Sequence, residues 1–429
     1  MPTVPPTPGA SRNRIGVFLV AAAFILAGLL NPSRAGAWGH QGHILITRLA
    51  CLGIIDDPKS PPELVAFLRA NMPSSIDDCR QMALHDTIGL DPPEKYLHGL
   101  DGWCTWPDRI RGTPQGSQIV PPYGVADGVL HYVDLEVFSA SPTFRDDLSH
   151  KPRPGDIPRD ISDPRWKLAG LVPFRVEECF DRLTQALANP ADADEAARWA
   201  GLLAHYSEDS TQPHHTTVDY RSIYYLAGRV PGVPAAASQP ANAAIVAPRV
   251  ASSINPHGDM EFELFVNDTT REPYRQQYWT SLTRDLAAAA TQPITPDSLE
   301  AAVPPARTQP APDPSRSALT TPLDPFADVL TLPATARRID PFAVDIDVVL
   351  DSYDYLPLIG HAAQAAYATG TFNPDAFFPF TGPIHGRTLS IVQLIALQNA
   401  KAVVELEAYY RAAWAESRQI PATQPSGPG

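Results

Sequence analysis

The chain has 429 residues, a formal net charge of -14, 47 prolines and four cysteines. That length excludes a mini-protein held together by staples and suffices for one large core or two smaller ones. The acidic balance excludes a broad polyanion-binding face, because attraction to phosphates needs a basic footprint, but it leaves room for a local site whose positive charge comes from metal ions.

Arg12 and Arg14 precede the apolar run IGVFLVAAAFILAGLL, which the small-residue site Ala35-Gly36-Ala37 closes. Residues 1–37 therefore read as a secretory signal peptide: the run is shorter than the roughly 20 residues a spanning helix needs, and an A-x-A site suits cleavage. No later segment is apolar enough to span a bilayer. The mature protein is expected to begin at Trp38, to be secreted or periplasmic, and to carry no transmembrane anchor.

Apolar residues at three-to-four spacing then predict helices in GHILITRLACLGI and in SPPELVAFLRANM, the latter with Ser60 as N-cap and proline at the first helical positions. The same spacing recurs in VPFRVEECFDRLTQAL, in DADEAARWAGLLAHYSED, in EFELFVNDTTREPYRQQYWTSLTRDLAAAA and in LSIVQLIALQNAKAVVELEAYYRAAWAES. No run of alternating strands interrupts them. The proline-rich stretches at about 230–248 and about 291–325 read as exposed insertions within one domain spanning 38–418, and 419–429 as a disordered tail. The expected fold is all-α. Cys51, Cys79, Cys104 and Cys179 are compatible with two disulfides or with buried free thiols, and their spacing matches no zinc-ligand pattern.

The chemistry lies in the histidines. His205 and Asp209 stand four apart on one predicted helix, so both project from one face, and His215 follows after a turn marked by Pro213. His257 and Glu261 form a second such pair, with Asn255 placed to cap their helix and Pro256 to open it. A histidine and a carboxylate at this spacing can bite one cation. One such pair is more often a solvated surface pair; two of them plus His215 shift the balance. Asp108 and His131 are further candidate ligands, although alone each reads as a cap or a core histidine.

The order of the pieces is W-G-x-x-G-H from Trp38, W-x-D-x-x-R ending at Arg111, H-x-x-D ending at Asp134, H-Y-x-x-D-x-x-Q-P-x-H ending at His215, and H-x-x-x-E ending at Glu261. That order resembles the superfamily of zinc-dependent phospholipase C and S1/P1 nuclease, from Trp38 to about Glu261. The resemblance implies a helical domain of that type holding three zinc ions. Asp108, His131, His205 and Asp209 would hold one ion, and His215, His257 and Glu261 a second. The third would be held by His43 and by the amino nitrogen and carbonyl oxygen of Trp38, once processing has freed it, with Asp209 bridging back. His40 and His214 do not match the motif offsets.

The resemblance further implies that a water activated between two ions attacks phosphorus in line, with Asp108 orienting it. Arg111 would contact phosphate and Asp134 would hold Arg111, completing the catalytic set; a guanidinium fork suits phosphate oxygens. The W-G-x-x-G-H terminus, Arg111 and Asp134 look like the nuclease branch, which cleaves single-stranded nucleic acid. Glu261 looks like the phospholipase branch, whose substrate is a phospholipid. A zinc-binding protein without turnover is the third reading, and no dedicated protein partner is evident.

Overall fold

This computed structural model describes residues 38–72, 99–111, 114, 116–120, 123–140, 148–189, 192–235, 253–265, 268–290 and 339–420. All of them belong to one compact unit, Gly36–Gly429. The expected signal peptide and the second insertion lie outside the described residues, as does the first insertion from 236 on.

The helices in chain order are α1 (Gly39–Asp56), α2 (Pro62–Asn71), α3 (Gly99–Ile110), α4 (Val172–Ala188), α5 (Ala193–Ser210), α6 (Pro256–Phe262), α7 (Glu272–Ala290), α8 (Pro341–Tyr353), α9 (Leu356–Ala366) and α10 (Ile391–Ser417); all but α3, α8 and α9 stand in segments whose pattern predicts a helix. The fold is mainly helical, as expected, with two small antiparallel hairpins among the described residues. No described helix is long and apolar enough to cross a membrane.

α5 is the axis of the molecule. Its residues from Trp199 to Ser210 are buried throughout, and it packs against α4, α3, α10 and α1. Gly201 permits the crossing with α3, since a Cβ there would overlap Trp103. Burial of this kind leaves no face for water, so polar side chains on α5 must find partners inside the protein.

The 27-residue α10 begins with a capping box, Ser390 accepting from Gln393 N while the Gln393 side chain accepts from Ser390 N, and it lies along α1, α4 and α7. It approaches α1 at Gly53, where a Cβ would overlap the Glu407 carboxylate. Burial pushes Glu407 up to about 7, with Arg411 opposing and Asp57 adding to the shift. The folded state thus holds this proton more tightly than the unfolded chain. The stability it contributes is complete below the ordinary carboxyl range and is lost as pH rises toward 7. Glu407→Gln should therefore match the parent near pH 4.5 and exceed it by about 2 kcal/mol at pH 8, measured by denaturant unfolding; an unchanged difference across that range would refute the assignment.

Several local expectations are corrected. Ser60 does not cap α2: Pro61 holds the cap position, and the Ser60 hydroxyl accepts from Arg411 Nη1 at 2.9 Å. The long helix expected over 261–290 is interrupted. Asp268 accepts from Thr270 N to start a new turn, and Pro273 then sits in the first turn of α7, where its missing N–H costs nothing. Of the first insertion's described residues, 230–235, Val230 and Val233 are buried and the other four exposed, and Gln419 and Ile420 follow α10. Cys51, Cys104 and Cys179 are buried thiols outside any disulfide, so the two-disulfide alternative fails; Cys79 lies outside the described residues.

Candidate metal centre

Six elements deliver the expected ligands to one buried region. α1 starts with Gly39 at φ +60°, a left-handed conformation natural to glycine, and a Cβ there would meet Phe262 Cε1 at 2.5 Å. The start of α1 is thereby seated on α6, which carries His257 and Glu261. Asp108 comes from the last turn of α3, and His131 ends a short 3-10 helix, Asp127–His131. His205 and Asp209 are on α5. A second 3-10 turn, Pro213–Thr216, carries His215 and is capped by Gln212, whose side chain accepts from His214 N at 2.8 Å and donates to Glu261 at 2.9 Å.

The ligand atoms fall into three groups, each within 4.8 Å: His43, Asp108 and His205; His131, His205 and Asp209; and His215, His257 and Glu261. His205 belongs to the first two. Asp209 links further, with Oδ1 3.6 Å from His43 Nε2 and Oδ2 3.9 Å from His215 Nδ1. His215 Nε2 and His257 Nε2 face each other at 3.1 Å, and His257 also pairs with Glu261. Two lone-pair nitrogens at that separation repel unless a proton or a cation lies between them.

The group of His215, His257 and Glu261 coincides with one set implied by the resemblance; Asp108, implied to join His131, His205 and Asp209, instead falls with His43 and His205, and its Oδ2 lies 3.8 Å from His43 Nε2. Trp38 is fully buried at the head of α1, its indole Nε1 donating to Glu208 O at 2.9 Å and lying 3.1 Å from Thr211 Oγ1. His40 and His214 belong to none of the three groups.

A test of fit comes from orphaned atoms. His43 Nε2, both carboxylate oxygens of Asp108, Asp209 Oδ1 and Glu261 Oε2 are buried without a hydrogen-bond partner. Leaving such groups unpaired costs about 1 to 3 kcal/mol each, more when charged, so their concentration in one place calls for a cation. Burial raises Asp108, pushes Asp209 up to about 7 despite His131, and lifts Glu261 well above the carboxylate range. Burial also lowers His43, His205, His215 and His257, which favours the neutral imidazole that donates a lone pair. His131 is the exception: burial opposes its charge, but Asp127 and Asp209 outweigh burial and lift it to about 9.

The outer nitrogens of the rings are held as well. His205 Nδ1 faces Cys104 O at 2.6 Å, His215 Nδ1 faces His131 O at 2.5 Å, and His131 Nε2 faces Asp127 at 3.0 Å. Such anchoring fixes which nitrogen is left for a metal. Asp127, itself held by the Tyr206 hydroxyl at 2.7 Å, was not singled out in the sequence, although its four-residue spacing to His131 is the same signal that marked His205 and Asp209.

Arg111 lies just beyond α3, with Nη1 3.9 Å from Asp108 Oδ1 and about a quarter of its side chain exposed. The expected pairing of Arg111 with Asp134 is not formed: among the described residues these side chains share no hydrogen bond or ion pair. Burial, reinforced by Glu136, pushes the Asp134 carboxyl well up, which disfavours the charge such a pair needs. The chain matches no protein-family model, no curated protein and no solved structure, so geometry and chemistry carry its functional reading.

Proposed function

We propose that the chain is a secreted or periplasmic zinc-dependent phosphodiesterase of the S1/P1 nuclease type, acting on single-stranded nucleic acid. The observation that carries this reading is the set of buried, partnerless oxygens and nitrogen on His43, Asp108, Asp209 and Glu261. A mixed imidazole and carboxylate donor set suits zinc. Asp108, His131, His205 and Asp209 would hold one ion, His215, His257 and Glu261 a second, and Trp38 with His43 a third that shares Asp209. Bound zinc would supply neutralisation of the phosphodiester charge, acidification of a water and stabilisation of the leaving oxygen.

The chain's own residues do the rest. Arg111, partly exposed beside the buried Asp108 carboxylate, would bind a phosphate arriving from solvent, its fork orienting two of the phosphate oxygens. Gln212 fixes Glu261 and the turn bearing His215, so those ligands keep their positions without rearrangement. Asp108, whose buried carboxylate oxygens have no hydrogen-bond partner, would orient the attacking water as well as bind metal.

Phosphatidylcholine hydrolysis is the second reading, favoured by glutamate rather than aspartate at Glu261. The deciding experiment uses protein beginning at Trp38, zinc-loaded, with single-stranded RNA and DNA, in the presence and absence of a chelator. Chelator-sensitive release of nucleotides is expected. Release only of head group from phosphatidylcholine would replace the nuclease reading with the second. Inactivity on both would overturn the enzymatic reading and favour a zinc-binding protein without turnover.

A further inference from the structure

Glu208 precedes Asp209 on α5 and belongs to none of the three ligand groups. Its side chain is nonetheless fully buried, and two of its groups reach the head of α1. The carboxylate accepts from His43 Nδ1 at 2.5 Å and from the Thr47 hydroxyl at 3.0 Å. Its main-chain carbonyl accepts from Trp38 Nε1 at 2.9 Å. One residue therefore holds both Trp38 and His43.

His43, like His131 with Asp127, is held by a side chain rather than by the main chain. His205 and His215 donate to main-chain carbonyls, which no substitution of the carbonyl's own side chain removes. His43 depends on a side chain. With Nδ1 committed to Glu208, its lone pair is on Nε2, the buried atom that has no hydrogen-bond partner and lies 3.6 Å from Asp209 Oδ1. Adjacent residues thus divide two tasks: Asp209 faces the ion, and Glu208 fixes the tautomer and ring direction of the histidine opposite.

We infer that Glu208 is a positioning residue that determines occupancy of the site formed by Trp38 and His43, without serving the other two. The inference rests on the proposal that this centre holds metal. Its test is zinc stoichiometry by elemental mass spectrometry, with chelator competition for each affinity, on protein beginning at Trp38 and its Glu208→Ala and Glu208→Gln variants. Three ions are expected in the parent. In Glu208→Ala the weakest-held ion should be bound roughly 100-fold more weakly, and in Glu208→Gln, whose amide oxygen still accepts from His43, roughly 10-fold, with the other two affinities unchanged.

The graded rescue by glutamine separates positioning from a general packing role, which would weaken all three ions or lower only the metal-free Tm. Three equally tight ions in parent and Glu208→Ala would overturn the inference alone, as would an equal loss at all three sites. Should Glu208→Ala fail to fold, the glutamine variant decides: an unchanged third ion overturns the inference. A parent that takes up no zinc would overturn the proposed function, and the inference with it.

Discussion

Replacing Asp108 with asparagine should reduce phosphodiester hydrolysis by roughly 10²- to 10³-fold while leaving the metal-free protein at least as stable as the parent. Both Asp108 oxygens are buried without a hydrogen-bond partner, and burial raises its pKa, so in the absence of a cation the carboxylate is a burden on the fold. A neutral amide lightens that burden. Once zinc is added the order should reverse, because a ligand that binds only the native state stabilises in proportion to its affinity, and the parent binds zinc more tightly. Unfolding curves with and without zinc, beside initial rates on single-stranded RNA, check both halves. Parent-level hydrolysis by the variant would remove Asp108 from the reaction.

Asp101→Ala should destabilise the protein by about 3 to 5 kcal/mol, a large fraction of what a domain possesses. Asp101 on α3 receives Arg48 on α1 through Nε at 3.2 Å and Nη2 at 2.5 Å, and both side chains are buried. Removing the acid takes the carboxylate away from a buried guanidinium. The double replacement Arg48→Met with Asp101→Leu should recover most of the loss, since breaking a buried pair by removing one partner costs more than replacing the whole pair by apolar groups. Because the same two helices carry His43 and Asp108, the single variant should also bind zinc more weakly than the double one. Equal instability of single and double variants in urea titrations would refute this account.

Much of this was legible in the sequence because the signals are local. Four-residue spacing put His205 with Asp209 and His257 with Glu261, and the structure places each pair on one helix as that spacing requires. The proline before His215 marked the turn that carries it. What stayed hidden depends on distant partners. Ser60 looks like a cap until Arg411, far along the chain, occupies its hydroxyl. Glu208 looks like any polar helical residue until α1 packs against it. Nor does the sequence show that Asp134 is buried, which disfavours the charge that a pairing with Arg111 would use. The hairpin Thr381–Ser390 turns at His385 and Gly386, both at positive φ, and histidine is a weaker turn signal there than asparagine or aspartate.

Cys104 faces the centre with its carbonyl oxygen, which takes His205 Nδ1, while its sulfur is directed to Asp101 O at 3.4 Å and burial holds the thiol well above its ordinary pKa. A protonated thiol turned aside is no ligand. The donor set among the described residues is consequently all nitrogen and oxygen, hard to borderline in character, although a cysteine supplies one of its anchors. Soft monovalent copper finds no thiolate to favour it over zinc, so the orientation of a single side chain bears on which metal the protein can keep in a mixed environment.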